Sequence, residues 1–137
     1  MGFERFGKIN LTSESKAAQF VDFLAENKVM STQCRKCGQQ YFPPRMDCCR
    51  CLTSDVDWFE IKGKGKVLAF TTANYGPTGF EDEVPYTLAV AQFDSGLKVF
   101  GRLSKEVKES EIRIGMEVRP VVVKLPGDKL SYELVPA

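Results

Sequence analysis

All five cysteines of this chain lie between Cys34 and Cys51, and no histidine accompanies them anywhere in its 137 residues. They fall into two C-x-x-C pairs, Cys34-Arg35-Lys36-Cys37 and Cys48-Cys49-Arg50-Cys51, separated by residues 38–47. Each pair can fold as a tight knuckle that holds two thiolates on one side of a backbone turn. Two facing knuckles then make a tetrahedral sulfur cage, the closed coordination of structural zinc. Gly38 suits the turn after the first pair, and Pro43-Pro44 stiffens the path to the second. A redox pair of the thioredoxin kind opens a helix directly after a strand, whereas both pairs here sit among turn residues. Iron in a four-sulfur site uses the same ligands; zinc is favoured because no other redox element accompanies the thiols. The two-residue spacing assigns Cys34, Cys37, Cys48 and Cys51 as ligands. Pairing Cys49 with Cys51 would leave only Arg50 between them, so Cys49 is read as a non-ligand. A cage closed by protein sulfur keeps no position for water or substrate, which points to one structural metal and away from metal-assisted hydrolysis. Its closure contributes on the order of 10 kcal/mol or more to local folding near neutral pH.

Without histidine, no Ser-His or Cys-His nucleophile pair and no imidazole base can be assembled from this chain alone. Machinery for acyl transfer or hydrolysis would therefore belong to a partner. The 19 basic and 18 acidic residues nearly cancel, so no global field draws the chain to nucleic acid or membrane. Its length fits one domain, or one domain with a small appendage, and is ample for a core without covalent staples. No apolar run approaches a membrane span, and MGFERFGKIN lacks the apolar centre of a signal peptide. The expected compartment is the cytoplasm, where stable disulfides are rare. Asn10-Leu11-Thr12 is accordingly not read as a glycosylation site.

The elements that must position the cysteines follow from periodicity. Residues 1–12 read as irregular, and a helix is expected from a cap at Thr12 or Ser13 to Asn27 or Lys28. Its stripe of Ala17, Phe20, Val21 and Leu24 must cover this chain or a partner. Beyond the cysteines, strands are expected near 58–61, 65–75, 86–94, 97–103, 117–125 and 130–134, with turns at Asp94-Ser95-Gly96 and Pro126-Gly127-Asp128. A short helix capped by Ser104 and a turn at Gly115 precede the fifth of these. Strands in this order, with one helical excursion, predict a five-to-six-stranded barrel of the OB type. In TLAVAQF both the Leu88/Val90 face and the Ala89/Ala91/Phe93 face are apolar, so a cover over the barrel's outside is expected, with the N-terminal helix the first choice. The whole reads as mainly β with an N-terminal helix: a helical segment over 1–30, a zinc ribbon over 31–56 and a barrel over 57–137.

The order of helix, C-x2-C-G…PPR…C-x2-C, GKGKVLAFTTANYG and VPYTLAVAQFDSGLKVFGRL resembles a known family over about residues 15–135. It is similar to the rubredoxin-like zinc-ribbon/OB-fold proteins catalogued as a domain of unknown function and encoded beside thiolase-like enzymes. Members include small subunits of archaeal acetoacetyl-CoA thiolase complexes, of steroid side-chain aldolases and of benzoylsuccinyl-CoA thiolase. The resemblance implies a non-catalytic subunit of a hetero-oligomer, joined to a thiolase-fold enzyme and sharing acyl-coenzyme A with it. Cys49 departs from the four-cysteine pattern of such proteins.

Coenzyme A offers phosphates to cations, an adenine face to aromatic or guanidinium planes, and a thin pantetheine arm to a narrow groove. Lys62, Lys64 and Lys66 alternate at strand spacing and could face phosphate together, although lysines on a solvated edge strand serve equally well against aggregation. Arg45, with Arg35, Lys36 and Arg50, gives the ribbon a basic surface. Tyr75, Phe80 and Tyr86 flank a long loop whose Glu81, Asp82 and Glu83 would repel phosphate and suit partner contact instead. The expected coenzyme A contacts are Arg45, Lys62, Lys64, Lys66, Tyr75 and Tyr86, and Trp58 is expected in the core. The competing reading is a single-stranded nucleic-acid-binding module, since ribbons and OB barrels both serve there; near-zero net charge and the acidic loop disfavour it.

Overall fold

The computed structural model describes residues 2–8 and 14–137. The expected caps Thr12 and Ser13 and the Asn10-Leu11-Thr12 sequence lie outside the described residues. Two compact units form, one of Met1–Ile61 with Val122–Ser131 and one of Lys62–Val121 with Tyr132–Ala137.

In the first unit, helix α1 spans Gln19–Ala25 and buries Phe20, Val21 and Leu24. The Phe20 ring packs against Phe3, Phe6 and Phe42 at centroid distances of 6.3, 5.7 and 6.4 Å, so the apolar stripe docks on its own chain. Phe23, on the adjoining face, meets Trp58 edge-on at 5.2 Å. The helix stops where Asn27 turns left-handed at φ 65°. Lys28 N–H then reaches the Phe23 carbonyl and Asn27 N–H the Leu24 carbonyl, both at 2.9 Å, which satisfies carbonyls that the helix end would otherwise orphan. Strands β1 (Met30–Cys34), β2 (Gln40–Tyr41) and β3 (Val56–Glu60) follow, in the antiparallel order β2-β1-β3. The strand expected near 58–61 thus begins at Val56 and pairs with β1, with Trp58 opposite Thr32.

The second unit is built on strands β4 (Gly65–Ala73), β5 (Tyr86–Phe93), β6 (Lys98–Arg102), β7 (Glu117–Leu125) and β8 (Lys129–Pro136), in the order β6-β5-β4-β7-β8. The tips of β7 and β8, from Val122 to Ser131, belong to the first unit. Turns fall where the sequence places them: Gly96, Gly115, Gly127 and Asp128 all have positive φ. The helical excursion shrinks to one 3-10 turn at Glu109–Glu111, with Ser104 Oγ accepting from Glu106 N–H at 3.3 Å.

The expected OB-type closed barrel is not formed, because the five-stranded sheet is open. Its end strands β6 and β8 meet only by an isolated bridge between Leu103 and Leu134, not by a ladder. A side chain stands where a closing strand would donate: Tyr132 Oη bonds the Phe100 carbonyl at 2.6 Å. Its ring lies on Gly101, where an added Cβ would come within 2.9 Å of Tyr132 Cε2. Burial raises the Tyr132 hydroxyl pKa to about 12, so it stays a donor at neutral pH.

Alternation in β5 sorts the two faces. Thr87, Ala89, Ala91 and Phe93 are buried, while Leu88 and Val90 are half-buried. Val67, Ala91 and Val99 form one row of the core, each 0 % exposed. On the other face, cross-strand rows run Lys66–Gln92–Lys98, Ala69–Val90–Phe100 and Thr71–Leu88–Arg102. A bulge between Val67 and Ala69 turns Leu68 outward beside them. Phe100 is 53 % exposed and Leu68 42 %, leaving this apolar face open.

Replacing Tyr132 by Phe should lower the free energy of unfolding by about 1 kcal/mol, the usual worth of one such hydrogen bond. Gly101→Val should cost more by displacing the ring. Urea denaturation of both variants checks the order.

Candidate metal centre

Strand β1 ends by delivering Cys34, and the chain reverses through Arg35-Lys36-Cys37 to Gly38. Gly38 N–H returns to the Cys34 carbonyl at 3.0 Å with φ at 77°. The second knuckle copies this bond: Leu52 N–H reaches the Cys48 carbonyl at 2.9 Å, with Leu52 at φ 55°. Inside each turn, amides point at the first sulfur. Lys36 and Cys37 N–H approach Cys34 Sγ at 3.3 and 3.5 Å, and Cys51 N–H approaches Cys48 Sγ at 3.4 Å. Fixed amide donors favour thiolate, which a metal requires.

The knuckles bring Cys34, Cys37, Cys48 and Cys51 together, with all four Sγ atoms within 4.8 Å of one another and Cys49 outside the set. Sulfurs about 2.3 Å from one central ion lie about 3.8 Å apart in a tetrahedron. Cys37 and Cys48 Sγ stand at 3.7 Å, far beyond disulfide length, and all the cysteines are free. The donor set therefore fits one four-sulfur structural zinc site. Cys34 and Cys48 are buried.

Proton affinities within the cage diverge. The Cys48 thiol falls to about 6, first because Tyr41 donates a hydrogen bond to it and then through the amides of the knuckle. Cys51 is pushed up to about 12, first by its hydrogen bond with Cys37 and then by burial. Crowded thiols share their protons because several thiolates in one pocket repel; a divalent cation would displace those protons and be bound as they leave.

Residues not singled out by spacing hold the cage in place. Thr32, fully buried on β1, accepts from Arg45 N–H at 2.9 Å and donates to the Arg45 carbonyl at 2.7 Å. Ser31 Oγ donates to the Tyr41 carbonyl. Tyr41 Oη donates to Cys48 Sγ at 3.2 Å and receives Cys49 N–H at 3.1 Å. Arg35 is fastened to Asp55 at 2.8 Å and to Asp57 at 2.6 Å, and its hydrogen bond lowers the Asp57 pKa. Alternation alone could have marked Thr32 and Tyr41 as strand partners, but carries no sign of their bonds to the knuckles.

The other candidate residues are dispersed. Arg45 lies over the Tyr41 ring at 5.4 Å. Lys62 and Lys64 lie in the connector before β4, and only Lys66 is on the strand. Lys64 pairs with Glu117 at 2.9 Å. Lys64 and Lys66 share a shallow cleft of about 470 Å³ with Leu68, Gln92, Phe93, Asp94 and Glu117. Tyr86 meets the Arg102 guanidinium at 5.8 Å and borders a separate cleft of about 330 Å³ with Thr72, Thr87 and Lys105. Tyr75 is 84 % exposed in the loop between β4 and β5. In that loop Glu83 is held by Arg102.

Cys34→Ser and Cys51→Ser should each abolish zinc binding and loosen the ribbon, whereas Cys49→Ser should keep one zinc per chain. Metal analysis of the three purified variants decides this, and loss of zinc in Cys49→Ser would reassign the ligand.

Two family models divide the chain. Residues 21–57 match the ChsH2 rubredoxin-like zinc ribbon domain, and residues 58–123 match the ChsH2 C-terminal OB-fold domain. A DUF35 domain-containing scaffold protein of Pyrococcus furiosus is 35 % identical over 103 residues, covering 75 % of this chain and 74 % of the relative. A protein of the same description from Methanocaldococcus jannaschii is 29 % identical over 101 residues, covering 73 % and 71 %. Among solved structures, the "Ltp2-ChsH2(DUF35) aldolase" aligns with a TM-score of 0.77 at 21 % identity, covering 92 % of this chain and 98 % of that one. A DUF35 protein of unknown function from Sulfolobus solfataricus aligns with a TM-score of 0.59 at 21 % identity, covering 98 % and 92 %. This chain belongs to the DUF35 family of zinc-ribbon and OB-fold proteins.

Proposed function

We propose that this chain is the non-catalytic, zinc-containing accessory subunit of a cytoplasmic thiolase-type enzyme complex, where it seats the partner and helps bind its acyl-coenzyme A. The carrying observation is the four-sulfur cage of a DUF35 ribbon, which uses every ligand position for structure. Among the described residues no helix is long and apolar enough to cross a membrane.

The open face of β4, β5 and β6 supports the partner half of this reading. Its middle row of Ala69, Val90 and Phe100, with Leu68 beside it, is apolar, and Lys66 and Lys98 stand at one end. A docking surface has this anatomy, an apolar centre with a charged rim. Its complement is a surface of the thiolase-type subunit with an apolar centre and carboxylates opposite the lysine row. The coenzyme half rests on Lys64 and Lys66, which share one cleft, as phosphate contacts; Lys62, Arg45, Tyr75 and Tyr86, also expected to serve it, do not line that cleft.

Co-expression with a thiolase-type enzyme encoded beside this chain should yield a complex that co-elutes and turns over acyl-coenzyme A, while the isolated chain shows neither thiolysis nor condensation. Phe100→Asp should release the partner without loss of zinc. Turnover by the isolated chain would overturn the accessory role. A complex that survives Phe100→Asp would move the docking face elsewhere.

The Lys64→Glu/Lys66→Glu double variant should weaken coenzyme A binding at least tenfold and flatten its salt dependence, as measured by calorimetry on the complex. Unchanged affinity would remove these two lysines from the coenzyme site.

A further inference from the structure

Cys49 is exposed, adjacent to a ligand, and has no place in the cage. Its surroundings give it one. Tyr41 Oη stands 3.2 Å from Cys48 Sγ and 3.3 Å from Cys49 Sγ, within hydrogen-bond reach of both neighbouring thiols, and also receives the Cys49 amide at 3.1 Å. A phenol carries one donor and two acceptor lone pairs. The single hydroxyl donor is directed at Cys48 Sγ, which leaves both lone pairs for the N–H and the thiol of Cys49.

The rest of the ribbon holds Tyr41 in that position. It is paired with Thr32 across β1 and β2, its carbonyl accepts from Ser31 Oγ, and the Arg45 guanidinium lies over its ring. We propose that the Tyr41 hydroxyl is the positioning residue that selects Cys48 rather than Cys49 as the fourth metal ligand, by donating to one sulfur and accepting from the other. This inference concerns the metal site alone and stands or falls independently of the partner and the coenzyme. It also gives the fifth cysteine a role, since Cys49 anchors the hydroxyl through its amide and its S–H.

The test uses the full chain loaded with zinc or with cobalt. Tyr41→Phe keeps the ring under Arg45 and removes only the hydroxyl. A hydrogen bond draws charge from a thiolate, so its loss should move the sulfur-to-cobalt charge-transfer band to longer wavelength. Zinc affinity should fall about tenfold, as for other outer-shell partners of metal ligands. In the zinc-loaded wild type, limiting iodoacetamide followed by peptide mass spectrometry should label Cys49 and spare Cys48. In Tyr41→Phe, Cys48 should label several-fold faster and Cys49 more slowly. Cys49→Ala keeps the amide and the Tyr41–Cys48 bond, and should leave the cobalt band where it is. If Tyr41→Phe does not fold, 3-fluorotyrosine placed at position 41 and measured at pH 6 provides a stronger donor, and should move the band to shorter wavelength. An unmoved band in whichever of these two variants folds, or wild-type labelling of Cys48 in place of Cys49, would overturn the proposal.

Discussion

Four sulfurs that must reach one point constrain the whole of the first unit, because a tetrahedral cage tolerates little error in where its corners begin. The two knuckles meet that demand by different means. Cys34 closes a five-residue ladder between β1 and β3, and the Arg35 amide extends the pairing to the Asp55 carbonyl at 3.0 Å. Backbone bonds thus place the first pair, with the Arg35 side chain tying its turn to Asp55 and Asp57. The second pair has no strand beneath it. Its approach is pinned by Thr32 to Arg45, its first sulfur by Tyr41, and its base by Cys48 N–H to the Thr53 carbonyl at 2.8 Å. Side chains of β1 and β2 therefore do for Cys48 and Cys51 what the ladder does for Cys34 and Cys37.

That division explains where the first unit is robust. Its apolar core lies at Phe20, Val21, Leu24 and Val29, gathered by the helix and the aromatic cluster. Around the cage the buried side chains are two of the ligands, Cys34 and Cys48, and the small hydroxyls Ser31 and Thr32, while Cys37 and Leu52 are exposed, Leu52 by 87 %. A left-handed leucine that packs on nothing costs on the order of 1 kcal/mol or more, with no burial to offset it. Metal closure, on the order of 10 kcal/mol, is large enough to impose it. Helix packing and cage closure are thus separate sources of order within one unit.

The parts legible in the sequence were those set by short-range pattern. Two C-x-x-C spacings identify four ligands because a knuckle is a local turn, and the Asp94-Ser95-Gly96 and Pro126-Gly127-Asp128 turns are local for the same reason. Alternation in TLAVAQF separates the buried Ala89/Ala91/Phe93 face from the Leu88/Val90 face. Whether a sheet closes is a different kind of fact. An open sheet and a barrel impose the same alternation on every strand, so the pattern cannot register that β6 and β8 meet through Tyr132 and one bridge. Lys62, Lys64 and Lys66 mislead similarly: their spacing matches a strand, but the strand begins at Gly65, after Gly63 at φ 83° has broken the alternation. The supports of the second knuckle were invisible because each joins residues distant in sequence, as Thr32 joins Arg45.

Near-neutral net charge conceals how the charges are deployed. Arg35 is held by two aspartates, Arg102 by Glu83 and Glu133, and Lys64 by Glu117. These pairs are unequal. Both members of the Arg102 pairs are about three-quarters covered, so moving that guanidinium would strand partly desolvated carboxylates. Lys64 and Glu117 are 62 % and 45 % exposed, and an exposed pair is worth under about 1 kcal/mol. Exchanging Glu117 for a phosphate would therefore cost little, whereas recruiting Arg102 would be expensive. An anion approaching the open sheet would meet available charge at its Lys64–Lys66 end and committed charge at its Arg102 end. The apolar row between them remains for a protein surface.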